Sequence, residues 1–331
     1  MGPTRWPNGG YSTVKSESRA SRLLKQLKSG EGQPRMVVRN LHGRPNMTPL
    51  ADPRIAALRW LKRVIVGCGL LLFTFLFLFP LAWMLLTSLK PAGEVLMAPP
   101  TFIPSEFLFR NYEDALRPVT VGQYFGNTLY LALLNMFGTL LSSTLAAYGF
   151  ACIRWRGRDT LFVLTITTMM IPFPVLMVPL YSMFQEIGWV GTFKPLWVPS
   201  FFGNAYAIFL LRQFFLTIPR DVLECARLDG CSEFRIFWQV VLPLSKPALA
   251  SVALFSFLAT WNDLLGPLVY LTDQNQYTLM LGLQDFATRQ SGSSMNLLAA
   301  LGLMMTLPVV ILYIWGQKTF LKGMPHPVFR S

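Results

Sequence analysis

The chain has 331 residues, of which 53% are hydrophobic, 14% aromatic and only 14% charged, where a soluble domain carries about a quarter charged residues. That balance excludes collagen-like, disordered and disulfide-rich secreted classes and describes a membrane protein. Its 29 Lys and Arg against 16 Asp and Glu leave a net charge of +13, a nucleic-acid signal in a soluble protein; in a membrane protein the placement of the charges matters more than their sum.

Residues 1–60, rich in Gly, Pro, Ser, Arg and Lys, predict a disordered basic cytoplasmic arm. The first long apolar run comes too late for a cleaved secretory signal. The arm is either attracted to anionic lipid, helped by an interfacial helix over 55–63, or a solvated tail or misassigned start, with Met47 as the alternative initiator.

Beyond it, windows free of Asp, Glu, Lys, Arg and His cover 64–89, 118–153, 160–185, 195–211, 247–262 and 290–317. A crossing needs roughly 20 mainly apolar residues, and the two shorter windows continue past Arg212 and Asp263. An all-α membrane protein with six helices follows, near 64–89, 127–152, 160–184, 196–216, 247–271 and 296–317. Positively charged connections stay in the cytoplasm. Twenty-four Lys and Arg fall in 1–63, 154–158, 212–246 and the C-terminal tail, against five elsewhere: Lys90, Arg110, Arg117, Lys194 and Arg289. Both termini are therefore expected inside, with 90–126, 186–195 and 273–295 outside. The transmembrane domain covers 61–324, and 325–331 is a cytoplasmic tail.

No enzyme signature appears. The two histidines, His42 and His326, sit in the tails, so no His-based metal or acid–base cluster can form in the core. No GxxxxGK[ST] phosphate cradle, HExxH or GxSxG occurs. Cys68, Cys152, Cys225 and Cys231 match no zinc spacing and read as small buried residues. No catalytic residue, metal or cofactor is expected in this chain.

The informative connection is 217–246. Pro219 suits a first helical turn, after which Val222, Leu223, Cys225, Ala226 and Leu228 interleave with Arg220, Asp221, Glu224, Arg227 and Asp229. Gly230 ends that helix by tolerating a left-handed conformation. Ser232 caps a second helix carrying Phe234, Ile236, Phe237, Val240 and Val241 up to Pro243. Two short helices bent at Gly230 predict a rigid elbow able to push on a partner.

Glu224-Cys225-Ala226-x-x-Asp229-Gly230, then Phe237 and Leu242-Pro243-Leu244, resembles the EAA motif of the membrane-spanning subunits of binding-protein-dependent ABC importers. Cys225 and Cys231 stand where that pattern usually has Ala. Trp261-Asn262-Asp263 with Gly266-Pro267-Leu268, Thr87-Ser88-Leu89-Lys90-Pro91, Met170-Ile171-Pro172 and Pro179-Leu180-Tyr181 are similar to the carbohydrate branch of that family, the maltose and glycerol-phosphate permeases. The similarity covers about 60–324, and the ending after Gly323 departs from the family pattern.

The resemblance implies the type I ABC importer permease fold in a bacterial or archaeal cytoplasmic membrane. It implies a second permease subunit, hence a heterodimer, two nucleotide-binding ATPase subunits that bind ATP and Mg, and an extracytoplasmic solute-binding protein, with no nucleic acid. Glu224, Ala226, Asp229, Gly230, Phe237 and Pro243 would then couple to the ATPase, and the solute would be a sugar or sugar-like compound. A polyamine or other non-sugar importer shares the elbow. A stand-alone carrier or channel would need its own intramembrane charge relay.

For the path, Asp263 is the acid inside an expected span, a functional hypothesis by default; it either binds substrate hydroxyls or caps a network with Asn262. Trp261 either stacks on a sugar face or belongs to an interfacial aromatic belt. Pro172, Pro174 and Pro179 make the third helix a pathway wall or a packing kink. Asn127, with Thr128 and Asn135, either lines the path or bonds between helices.

Overall fold

The computed structural model describes residues 53–117, 120–289 and 294–322. Most of the expected arm, with Met47, and the 325–331 tail lie outside the described residues. The chain falls into two units, Met1–Leu70 and Leu71–Ser331. Helix α1 runs Pro53–Ser88, so it begins within the segment expected to be an arm. The described part of the first unit is the opening of this helix.

In the second unit follow α2 (Arg110–Leu116), α3 (Val121–Ala151), α4 (Arg158–Thr168), α5 (Phe173–Glu186), α6 (Ala205–Phe215), α7 (Arg220–Leu228), α8 (Glu233–Ile236), α9 (Lys246–Trp261), α10 (Leu265–Tyr270), α11 (Leu279–Arg289) and α12 (Met295–Lys322). Among the described residues α1, α3 and α12 are long and apolar enough to cross a membrane, and up to six spans result if each of three bent helix pairs counts as one.

α3 is the central element. It packs against α6, α9, α11 and the 3-10 turn Val198–Phe202. Its hydroxyls bond back along the helix, Thr128 to the Tyr124 carbonyl at 2.8 Å, Ser142 to Gly138 at 2.7 Å and Thr144 to Leu140 at 2.6 Å, so polar groups enter an apolar environment already satisfied. At about 1.5 Å per residue it separates two ends of the bundle. One end meets α11 and residues 275–277; the other meets α7 and α8.

Three expected helices are not straight. The one over 160–184 breaks between α4 and α5 with a 95° bend, because Pro172 precedes α5 in extended conformation and Pro174 occupies its first turn. The one over 196–216 is assembled from Lys194–Trp197, the 3-10 turn and α6. A new N-terminus is made at Asn204, whose side chain accepts from the Ala207 amide at 3.0 Å. The one over 247–271 breaks after Trp261, where the Asp263 carboxylate accepts from the Gly266 amide at 3.1 Å and Pro267 has no N–H to offer.

The expected outer connection 273–295 contains α11, with Leu279, Gly282 and Phe286 buried. Its apolar stripe at helical spacing is interrupted by Asp285 and Arg289, which a search for charge-free windows cannot pass. α3 starts at Val121 rather than near 127. After α1 the chain is held by Asn111, whose amide donates to the Ser88 carbonyl at 2.8 Å and the Lys90 carbonyl at 2.9 Å. The buried Lys90 ammonium donates to the Thr101 carbonyl and lies 4.7 Å from the Trp83 ring centroid.

Candidate functional site

The 218–246 segment is an elbow whose inner side is bonded into the bundle. Pro219 precedes α7, and Asp229 ends it. Gly230 has φ +78°, its amide donates to the Arg227 carbonyl at 3.0 Å, and the Cys231 amide donates to Ala226 at 3.1 Å. These are the two bonds of a Schellman stop, which needs a left-handed residue at this position. Ser232 then caps α8 by accepting from the Arg235 amide. The backbone continues as a π-helical turn, Phe237–Val241, which the sequence reading treated as ordinary helix.

Leu223, Ile236, Phe237 and Val241 are buried with Ala147, Tyr148, Leu211 and Phe215 in one apolar cluster, and half-buried Ala226 packs against it. The Phe237 ring meets Tyr148 edge-on at 5.2 Å. Polar bonds cross the same boundary. Tyr148 Oη donates to Glu233 Oε2 at 2.6 Å, Arg227 Nε donates to Glu233 Oε1 at 2.8 Å, and Arg227 Nη2 reaches the Cys152 carbonyl at 3.2 Å. α7, α8 and the end of α3 are thereby one bonded unit.

The outer side is different. Leu228 is 87% exposed, Phe234 71% and Trp238 61%, with the last two rings stacked at 6.4 Å. Glu224, Asp229 and Pro243 are also exposed. Glu224 shares a polar hollow of about 340 Å³ with Arg154, Arg158, Arg220 and Arg227. Of the six expected coupling residues, Phe237 is an internal anchor and Gly230 the hinge geometry, while Glu224, Asp229 and Pro243 face outward. Leu228, Phe234 and Trp238 were missed as exposed apolar residues. The helical wheel of a segment assumed to be amphipathic puts apolar residues inward, whereas these elements bury Leu223, Ile236 and Phe237 and leave these three out.

The second feature is a cavity of about 720 Å³ between α3, α5, α6 and α9, lined by Asn135, Thr139, Phe173, Ser200, Asn204, Tyr206, Ser256, Thr260 and Asp263 among others. Of the expected path residues, Asp263 lines it and Pro172 directly precedes the lining Phe173. Asn135 lines it too, while Trp261, Asn262 and Asn127 lie elsewhere. Trp261 is buried, donates from Nε1 to the Met305 carbonyl at 3.2 Å and stacks on Phe257 at 5.2 Å. The Asn262 amide donates to the Leu258 carbonyl at 2.8 Å. Asn127 donates to the Asn275 and Tyr277 carbonyls at 2.9 and 3.0 Å, which makes it a tie between α3 and the 275–277 turn. Ser256 and Thr260 were missed, although with Asp263 they form an i, i+4, i+7 polar stripe in an apolar span. Among the described residues no group of three or more His, Cys, Asp or Glu gathers to hold a metal.

Residues 138–324 match the profile of the family described as "Binding-protein-dependent transport system inner membrane component". The chain is 32% identical over 265 residues to the arabinooligosaccharides transport system permease protein AraQ of Bacillus subtilis, covering 79% of this chain and 94% of that one. It is 30% identical to the diacetylchitobiose uptake system permease protein NgcG of Streptomyces coelicolor, over 79% of this chain and 87% of that one. Its fold is similar to a chain in the crystal structure of a bacterial ABC transporter involved in import of the acidic polysaccharide alginate. The TM-score is 0.68 at 24% identity, over 82% of this chain and all of that one.

Proposed function

Because the chain belongs to the family of binding-protein-dependent transport system inner membrane components, we propose that it forms half of the translocation path of an ATP-driven importer and carries the 218–246 elbow that couples it to an ATPase subunit. As a family member it is a multi-pass protein of the inner membrane and a transport component rather than an enzyme. The solute is a sugar or sugar-like compound, a reading supported by relatives named for arabinooligosaccharide transport and diacetylchitobiose uptake.

The observation that carries the coupling assignment is the asymmetry of the elbow. Its inner side is locked to α3 through Phe237 and the Tyr148–Glu233–Arg227 bonds, while Leu228, Phe234 and Trp238 stand exposed. Apolar side chains held out on a stiff base suit a partner's groove, and a push on them reaches α3 without being absorbed by a flexible joint. The partners are a second permease subunit, two ATPase subunits holding ATP and Mg, and an extracytoplasmic binding protein that delivers the solute. Closure of the ATPase pair moves the elbows and alternates access to the path. The elbow and both termini lie on the cytoplasmic side, in keeping with the distribution of Lys and Arg.

Affinity purification of the tagged chain from its host in mild detergent tests the reading. A second permease and an ATPase are expected to accompany it, and the complex, not the chain alone, should take up solute in proteoliposomes when ATP is supplied. Uptake by the chain alone would reject the reading.

A further inference from the structure

Resting on this permease reading, we propose that the path through this chain passes solutes without net negative charge and rejects anionic ones. Asp263 is the carboxylate of the cavity lining, which contains no Lys, Arg or His. None of the ion pairs among the described residues includes Asp263. The carboxylate is fixed by the Gly266 amide at 3.1 Å, an approach allowed because residue 266 has no Cβ: a Cβ there would press on Asp263 and stand 3.0 Å from Leu196 Cδ2. Asp263 thus holds a stationary carboxylate group beside the cavity, with no cation paired to it.

The hydroxyls reinforce this. Thr260 donates its proton to the Ser256 carbonyl at 3.1 Å, Ser200 to the Trp197 carbonyl at 2.6 Å, and Ser256 to Thr139 Oγ1 at 3.5 Å. With their protons committed to the protein, these oxygens offer lone pairs to the cavity. Beside the amide and phenol donors of Asn135, Asn204 and Tyr206, these acceptors and the one carboxylate match the mixed donor and acceptor character of a neutral sugar's hydroxyls, or an ammonium group. A carboxylate or phosphate, which only accepts hydrogen bonds, leaves the committed hydroxyls unpaired, meets no cation and is repelled by Asp263 in a medium less polar than water.

Charge-selective labelling of a cysteine in the cavity tests this without knowing the solute. Thr260→Cys, and separately Ser256→Cys, is introduced into a chain whose Cys68, Cys152, Cys225 and Cys231 are replaced by Ser, assembled in the full complex in native membranes. The rates of modification by a trimethylammonium-bearing and a sulfonate-bearing methanethiosulfonate are compared with those of a free thiol. The cationic reagent should be favoured on the order of tenfold beyond its free-thiol preference, and Asp263→Asn should remove most of that excess. An anion-favouring ratio, or one unmoved by Asp263→Asn at both positions, overturns the proposal. So does uptake of a polyuronate or sugar phosphate that is lost when this chain is deleted. Failure of the coupling reading would show separately, as the absence of an ATPase from the purified complex.

Discussion

The elbow and the cavity use polar groups differently. At the elbow they bond across elements: Arg227 of α7, Glu233 of α8 and Tyr148 of α3 are joined by bonds of 2.6 and 2.8 Å. Around the cavity the bonds are between neutral groups or stay local, Thr260 to Ser256 on α9 and Asp263 to the Gly266 amide. Those that cross to α3 are uncharged: Ser256 to Thr139 at 3.5 Å, the Asn204 amide to Ser143 at 3.1 Å and Ser142 to the Ser200 carbonyl at 2.9 Å. Bonds between elements oblige them to move together. Bonds within a helix satisfy its polar groups without tying it to its neighbour, so α9 is joined to α3 at the cavity more loosely, through the 3.5 Å Ser256–Thr139 bond, than the elbow is joined to α3. The elbow is held to α3 by short charge-assisted bonds, and the cavity wall by neutral and longer ones.

The strongest way to break this contrast is at the hinge of the elbow. Gly230→Pro replaces a residue at φ +78° by one fixed near −65° and deletes the amide that bonds Arg227, at a local cost of about 3 kcal/mol or more. ATP-driven uptake should be lost while the protein remains in the membrane fraction. Phe237→Ala removes a buried ring from the cluster around Tyr148, costing about 3–5 kcal/mol. Phe255→Ala, at the half-open cavity wall where the ring is 46% exposed, should cost about 1 kcal/mol or less. Thermal unfolding of the purified complex compares the two, and equal losses would erase the distinction.

Smaller effects sharpen it. Gly266→Ala crowds Asp263 and Leu196 and should destabilise by about 1–3 kcal/mol, read as a lower melting temperature together with a changed labelling ratio in the cavity. Glu233→Gln weakens the bond to Arg227, whose partners are 38% and 45% exposed, so the loss should stay near ~1 kcal/mol. Transport is expected to fall more than stability does, because the bond's task is to join two elements.

The smallest effect concerns pH. Hydrogen bonds from the Ser105 hydroxyl and amide hold the Glu94 carboxyl below its ordinary range. A lowered carboxyl pKa means that the 94–105 tie is intact above the usual glutamate value of about 4.3 and is lost as pH falls through the lowered value. Proteolysis of the 90–108 segment should be flat from neutral pH down to about 5 and rise only in stronger acid.

Much of this architecture was legible in the sequence. The Gly230 stop and the Ser232 cap could be read locally because helix termini are specified by one or two residues, and the apolar runs of α1, α3 and α12 announce themselves. What escaped depends on tertiary context. Asn127 has an orientation set by partners about 150 residues away. Trp261 turns from the cavity because Phe257 and Met305 take its ring and its N–H, which no spacing rule reveals. The Ser256–Thr260–Asp263 stripe was visible in principle. It was overlooked because serine and threonine are read as tolerated guests in an apolar helix unless their shared face is counted.

The coupling assignment is tested most directly by placing a photo-crosslinking amino acid at Leu228, Phe234 and, as a buried control, Leu223 in the chain expressed in its native host. Irradiation should join the ATPase subunit to the chain at Leu228 and Phe234 and not at Leu223. Adducts to lipid alone at the two exposed positions, with no ATPase captured, would contradict it.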